Sequence, residues 1–370
     1  MNNLLNQIEE VLLMGPGPSC VHPKVYQALS RKTLGHLDPH FIKIMNEIKQ
    51  LLMNLMNTKN TLTLPLSGTG SAGMEASLVN LIEPKDKVLI LINGVFGTRM
   101  QEVATRLIAK VDTLEFEWGT PIDTVKVKEI LTENEYKLVA AVHAETSTGV
   151  KNPIEKIGTI LKDFDTFFLV DAVTSLGGIE VKMDEWNIDV LYSGSQKCLS
   201  CPPGLAPISF SGRAFDSIMN RKKKVPNWYL DMSLIGQYWQ KERKRVYHHT
   251  APINMLYALY QALQLFFEEG QEKVFKRHVE CHEQLKAGLA DLGLKMLVSD
   301  QYQLPMLNAV SVPEGVDESL IRQRLRMEHK IEIGAGLGPL SGKIWRIGLM
   351  GHTARKENIE RFLSALRVVL

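Results

Sequence analysis

Cysteine is scarce in this chain: Cys20, Cys198, Cys201 and Cys281 are the four among 370 residues. So few exclude a disulfide scaffold. Cys198-Leu-Ser-Cys201 has C-x-x-C spacing, but no second pair or nearby histidine ligands accompany it, and it reads as small residues packing a tight turn before Pro202-Pro203-Gly204. No apolar run approaches the roughly 18 residues that span a bilayer. Net charge is nearly absent: 43 Lys+Arg against 41 Asp+Glu leave +2, which gives no argument for nucleic acid or membrane as a partner. The basic clusters at 222–224 and 241–245 read as solvated faces. The opening MNNLLNQIEEVLLM lacks the basic start and cleavage site of a secretion signal, and the final Arg-Val-Val-Leu is no peroxisomal address. The expectation is a cytoplasmic protein whose first residues form a short amphipathic helix or an arm packing on a neighbour.

What is present is ordinary soluble composition, 45% hydrophobic and 23% charged, in a chain long enough for two domains. The richest stretch is 166–204. An apolar run, Phe167 to Val170, ends on Asp171; a second, Ile188 to Tyr192, leads through Ser193-Gly194-Ser195-Gln196 to Lys197. A carboxylate and a lysine, each just past a buried strand, suit a site that holds a basic ring nitrogen with one and an aldehyde with the other. That is the hypothesis of a pyridoxal phosphate enzyme.

In chain order, Met14-Gly15-Pro16-Gly17-Pro18 is a rigid turn, either a domain entry or a loop laid over a site. Helices are expected over 23–32 and 41–56, with His36 between them as a packed histidine or a substrate contact. A strand over 61–66 feeds Ser67-Gly68-Thr69-Gly70-Ser71-Ala72-Gly73 and a helix over 74–81. Gly68, Gly70 and Gly73 fit G-x-G-x-x-G, but the next strand (87–92) ends in Asn93-Gly94, without the acid a dinucleotide's ribose needs. What survives is a glycine turn offering free N–H groups and a helix dipole to an anion, with an ordinary helix cap as the alternative. Phe96 follows between glycines and is either core or a ring lid, with Arg99 and Arg106 in the next helix. A strand over 138–143 ends in Glu145-Thr146-Ser147-Thr148, hydroxyls that either bind a ligand or cap a helix. Helices over 121–133 and 153–164 and a strand over 206–210 complete a βαβ alternation, hence a mainly parallel sheet. Every polar feature falls at a carboxyl strand end, where such sheets collect ligands. Residues 213–250 read as irregular and aromatic. A helix over 252–269 bridges to helices over 270–292, strands at 295–298 and 308–312, a helix over 319–329, Ile331-Glu332-Ile333, a glycine loop at 334–338, a strand carrying Arg346 and a helix over 355–369. Arg346 needs an anionic partner, structural or substrate.

On these stretches the chain resembles the class V aminotransferases, most of all their alanine–glyoxylate and serine–glyoxylate (serine–pyruvate) branch. The matching residues are Gly15 to Pro18, Leu34-Gly35-His36, Ser67 to Glu75, Asn93 to Gly97, Glu145 to Gly149, Val170-Asp171, Ser175 to Gly178, Tyr192 to Lys197, Pro202 to Gly204, Tyr247-His248-His249-Thr250, Leu337 to Pro339 and Arg346 to Gly348. The resemblance implies an α/β, fold-type I pyridoxal phosphate transferase. It would have an arm (1–14), a large cofactor-binding domain (15–269) and a small α+β C-terminal domain (270–370), assembled as a homodimer with shared sites. Lys197 would bond the cofactor's aldehyde carbon and Asp171 pair with its ring nitrogen. Thr69, Gly70, Ser71 and Gln196 would hold the phosphate, joined by Tyr247 and Thr250 of the partner subunit. Phe96 would stack on the ring, Thr146 lie near its substituents, Arg346 clamp the substrate carboxylate and Gly17 line the substrate pocket.

The implied reaction is amino transfer from alanine or serine to glyoxylate or pyruvate, with 3-hydroxykynurenine or 2-aminoethylphosphonate as alternative donors. Phe96 replaces the Trp of several eukaryotic relatives, and Ser71 the His of some. Phe96 and Gln196 stand where cysteine desulfurases carry histidines, which argues against that activity. A non-catalytic binding module and a nicotinamide oxidoreductase are the competing classes.

Overall fold

A computed structural model describes residues 3–239 and 245–370. Its centre is a sheet of β1 (Leu62–Ser67), β2 (Lys87–Ile92), β3 (Lys110–Glu115), β4 (Leu138–Val142), β5 (Phe167–Asp171), β6 (Val190–Tyr192) and β7 (Leu205–Phe210). They lie in the order β1-β7-β6-β5-β4-β2-β3. β7 runs antiparallel to both its neighbours and the other pairings are parallel. The expected α/β architecture with a mainly parallel sheet is what forms. The reason lies in the strands themselves: Val88–Ile92 and Leu138–Val142 are apolar throughout and buried, as a sheet covered on both faces requires.

The covering helices are α1 (Pro23–Leu29), α2 (Pro39–Leu55), α3 (Gly70–Leu81), α4 (Val95–Arg106), α5 (Thr124–Glu133), α6 (Ile154–Leu161), α7 (Gly212–Met219), α8 (Met232–Trp239) and α9 (Ile253–Glu269). Proline opens α1 and α2, and the side chains of His22 and Asp38 cap them. Gly270, at φ +93, separates α9 from α10 (Gln271–Asp291).

A second core gathers around α10, α11 (Glu318–His329) and α12 (Lys356–Val369), with a three-stranded antiparallel sheet of β8 (Leu307–Ser311), β9 (Gly334–Ala335) and β10 (Ile344–Gly348) in the order β8-β10-β9. The start of the chain joins this core. Leu12–Leu13 pairs in parallel with Ile331–Glu332, and Met14 is fully buried there. Among the described residues of this start, Leu4–Gln7 forms a 3₁₀ turn, with Leu4 and Leu5 exposed.

Several expectations are corrected. The strand at 295–298 reduces to one bridge, Met296 with Val310, because the segment turns away at Ser299. Residues 213–250 are not irregular throughout: they hold α7, capped by Ser211, and α8. α3 begins at Gly70 rather than 74. β3 escaped notice because Lys-Val-Asp-Thr-Leu-Glu lies at the sheet edge, half-exposed, with no apolar run to announce it. Part of the basic cluster at 241–245 lies outside the described residues. Among the described residues no helix is long and apolar enough to cross a membrane.

Candidate active site

The parallel strands deliver their carboxyl ends to one rim of the sheet. Asp171 ends β5, in register with Val142 on one side and Tyr192 on the other. It is buried; Oδ1 accepts from the Val173 N–H (2.8 Å) and Oδ2 from the Tyr192 hydroxyl (2.6 Å). Burial raises its carboxyl to about 6 in spite of these donors.

Lys197 follows β6. Its carbonyl accepts the Ser19 hydroxyl (2.7 Å) and the Ser200 N–H (3.0 Å), and the Ser19 N–H donates to the Gln196 carbonyl (2.9 Å). The lysine is therefore held by the backbone on both sides. Nζ donates to the Pro16 carbonyl, which brings the 14–18 turn over the site. A Cβ on Gly17 would lie 2.6 Å from Nζ, and its φ is +103, so glycine is what permits this approach. Burial, and next the Arg346 cation, lower the Lys197 ammonium to about 8.

The β1–α3 turn closes a third side. A Cβ on Gly70 would meet the Val173 side chain at 3.1 Å and the Ser193 carbonyl at 3.6 Å, so the helix start packs on the turns that carry Asp171 and Lys197. Thr69 is the N-cap, yet its side chain makes no cap hydrogen bond. Ser71 is exposed one turn position further on. Free first-turn amides and the positive dipole end are features that suit this corner to an anion. Gln196 Oε1 is buried without a partner among the described residues.

The fourth side comes from the C-terminal sheet. Arg346, on β10, is 7% exposed and donates to two carbonyls, Ala335 (Nε, 2.6 Å) and Thr146 (Nη1, 3.2 Å). Burial lowers its guanidinium to about 10, opposed by the nearby Glu145 charge. Among the described residues no carboxylate forms an ion pair with it. Phe96 is the second residue of α4, not a ring swinging between glycines; it is half-buried, and the Arg99 guanidinium lies 5.0 Å from its ring centre.

The single chain thus gathers Gly17, Gly70, Phe96, Thr146, Asp171, Gln196, Lys197 and Arg346 around one rim, with Thr69 and Ser71 at the start of α3. Tyr247 and Thr250 stand apart from these, exposed and hydrogen-bonded to each other at 3.2 Å, although His249 between them reaches Ser67 Oγ at 2.7 Å. Asn93 donates to the Thr120 carbonyl and Asn152 Oδ1, both at 2.8 Å, so the position where a dinucleotide site needs a ribose-binding acid is committed to loop packing. Cys198 and Cys201 are buried thiols pushed up to about 12, and Cys198 Sγ donates to the Thr174 carbonyl (3.2 Å). No metal-ligand cluster occurs among the described residues.

Two residues were not singled out from sequence: Tyr192, which holds Asp171, and Glu145, fully buried and pushed up to about 7 by burial. An acid at a strand end followed by hydroxyls was the available signal for Glu145, the same signal that exposed Asp171.

Asp171 carries a pH consequence. Its folded pKa lies above the unfolded value, so it costs stability as pH rises from about 4 to about 6 and keeps that cost above. Tyr192 can turn from donor to acceptor toward an amide. The cofactor-free Asp171→Asn protein should therefore melt higher than the parent at pH 8 and equal to it near pH 3; thermal unfolding across that range is the measurement.

A doubly covered, mainly parallel sheet with an acid and a lysine at adjacent strand ends has the architecture of the fold-type I transferases. The chain belongs to the class V aminotransferase family: the Aminotransferase class-V family model matches residues 22–362. It is 42% identical to a (S)-ureidoglycine–glyoxylate transaminase of Bacillus subtilis (strain 168), over 97% of this chain and 90% of that one. It is 41% identical to an alanine–glyoxylate aminotransferase of Drosophila melanogaster, over 96% and 91%. Among solved structures, an alanine–glyoxylate aminotransferase from Nostoc sp. superposes with a TM-score of 0.96 at 46% identity, over 98% of this chain and 96% of that one. The chain is thus an aminotransferase by family, and neither a nicotinamide oxidoreductase nor a binding module.

The family implies pyridoxal phosphate, and the residues present fit it. The α3 N-terminal amides and the Thr69 hydroxyl, free of a capping bond, are donors suited to a phosphate, and the buried Gln196 Oε1 is left without a partner among the described residues. Asp171 offers a buried carboxyl on one side of the space and Lys197 an amine of lowered pKa on the other.

Proposed function

We propose that this aminotransferase moves the amino group of a small amino acid, alanine or serine, to glyoxylate, using pyridoxal phosphate in a homodimer. The observation that carries the reading is Arg346, a buried guanidinium whose hydrogen-bond partners are two carbonyls and whose charge is unpaired among the described residues. Burying a cation without a counter-charge is costly, and a substrate carboxylate removes that cost. Both curated relatives named above carry glyoxylate in their names, which favours it as acceptor. Neither 3-hydroxykynurenine nor 2-aminoethylphosphonate appears in them.

In this reading Thr69, Gly70, Ser71 and Gln196 would hold the phosphate, with Tyr247 and Thr250 lent by the second copy. Phe96 would lie on the ring and Thr146 beside its substituents. When bound, pyridoxal phosphate supplies an aldehyde that accepts amines and a ring that withdraws electrons from the substrate's α-carbon. Arg346 fixes the substrate carboxylate with its planar fork. Gly17 and Pro16 wall the pocket, and the Pro16 carbonyl orients the Lys197 amine. Lys197, half-deprotonated near pH 8, takes the proton from the α-carbon. Asp171, held by Tyr192, carries the negative charge that keeps a facing ring nitrogen protonated.

A donor and acceptor panel followed by the absorbance of bound cofactor tests this. Alanine or serine should convert the cofactor to its amine form, and glyoxylate should reverse the change faster than pyruvate or 2-oxoglutarate. The 42% identity to the Bacillus enzyme favours one second reading, (S)-ureidoglycine as donor, and a response confined to that compound would select it. No response to any amino donor would overturn both.

A further inference from the structure

The α4 helix starts at Val95 behind Gly94, a residue with no side chain to cap it. Its first amides are nevertheless satisfied, from a different part of the chain. The Val95 N–H donates to Ser147 Oγ (3.0 Å), and the Phe96 N–H donates to Glu145 Oε2 (3.3 Å). Glu145 Oε1 accepts both the Ser147 hydroxyl (2.6 Å) and the Ser147 N–H (3.0 Å). The acid and the serine sit on the tight hairpin between Ala144–Glu145 and Val150–Lys151. The carbonyl of Thr146, the residue between them, takes Arg346 Nη1 at 3.2 Å. Gly94 is glycine for this reason: any Cβ there would collide with the Glu145 carboxyl group and Ser147 Oγ. Nothing in α4's stability demands so elaborate a cap. A serine or aspartate at 94 is the ordinary solution, but the buried carboxyl occupies the space.

We propose that Glu145 is a positioning residue of this site: with Ser147 it caps α4 across the sheet rim, sets Phe96 over the cofactor ring, and in the same turn anchors Arg346. The inference rests on the stacking role proposed above for Phe96. Its physical basis is rigidity. Phe96 is the second residue of its helix, where a side chain takes its direction from the first turn. An uncapped first turn frays. Above about pH 7, where the buried Glu145 carboxyl ionises, the charged acceptor makes these hydrogen bonds stronger than a neutral cap would. The residue holds the ring and the clamp in one frame, so the cofactor face and the substrate carboxylate keep a fixed separation.

Glu145→Gln tests it. Glutamine keeps the shape and one carbonyl for Ser147, but it turns the atom facing the Phe96 N–H into a donor. Pyridoxal phosphate affinity is read on the full-length protein after cofactor removal, together with the circular dichroism of the rebound cofactor and the melting temperature of the cofactor-free form. The expected result is affinity about 10- to 100-fold weaker and a diminished dichroic band, with a cofactor-free melting temperature at pH 8 equal to or above the parent's, since a buried charge has gone. Phe96→Ala should weaken affinity comparably, and the double variant should bind no more weakly than Phe96→Ala alone, because Glu145 acts through that ring. Parent-like binding and dichroism in Glu145→Gln, beside a weakened Phe96→Ala, overturn the proposal and leave the stacking role standing. Additive losses overturn it as well. So does a markedly lower melting temperature of cofactor-free Glu145→Gln, which marks a purely structural residue. Parent-like binding by Phe96→Ala overturns the stacking role, and this proposal with it. If Glu145→Gln does not accumulate, Ser147→Ala removes the Val95 bond and carries the same comparisons, with affinity expected about 10-fold weaker.

Discussion

Replacing Lys197 with alanine should lower turnover by about 10⁴-fold, the upper end of what a positioned general base contributes, because in the proposed reading the same amine would also bond the cofactor's aldehyde carbon. The protein should still fold. Among the described residues the side chain's polar bond is to the Pro16 carbonyl, and losing a buried ammonium relieves a desolvation cost that lowers its pKa to about 8. Single-turnover measurement of α-deuterated alanine conversion separates the effects. The parent should show chemistry limited by or partly coupled to proton removal, whereas the variant should show a slow step with a full isotope effect. A small primary amine such as methylamine should restore part of the rate by occupying the vacated space. Transamination at near the parent rate by Lys197→Ala would end the assignment of this residue.

The second large effect belongs to Arg346. Arg346→Ala should raise KM for the amino acid by roughly 10²–10⁴-fold, the worth of two charge-assisted hydrogen bonds at ~1.5–3 kcal/mol each, with a smaller fall in kcat. Truncation also leaves the Ala335 and Thr146 carbonyls without their donor. Arg346→Lys should recover only part of the affinity, because it restores charge without the planar fork. An amine lacking a carboxylate should be indifferent to both substitutions. Steady-state kinetics with alanine and with such an amine make the comparison, and an equal loss for both substrates would show that Arg346 supports the site without binding the carboxylate.

Much of the fold was legible because strands covered on both faces are predominantly apolar, and six of the seven sheet strands are predominantly apolar and buried. β3 was not, since this edge strand carries no apolar run. Asp171 and Lys197 stood out for a related reason: a charge that ends an apolar run, or follows it after a short small-residue turn, is conspicuous when the run is buried. Glu145 bears the same mark, but the neighbouring hydroxyls drew attention to ligand binding rather than to the helix that they cap. Tyr192 was hidden as the last aromatic of a strand, and only register shows that it stands beside Asp171.

By itself the sequence determined the sheet class, the order of its elements, and which polar residues fall at carboxyl strand ends, because apolar periodicity and glycine placement are local properties. Tertiary structure alone decided that Pro16 meets Lys197, that Glu145 caps a helix 50 residues upstream, and that Arg346 carries its charge unpaired among the described residues. Those are contacts between segments distant in sequence. They arise from how the turns at the sheet rim pack on one another and, for Arg346, from how the C-terminal sheet meets that rim, which no local pattern encodes.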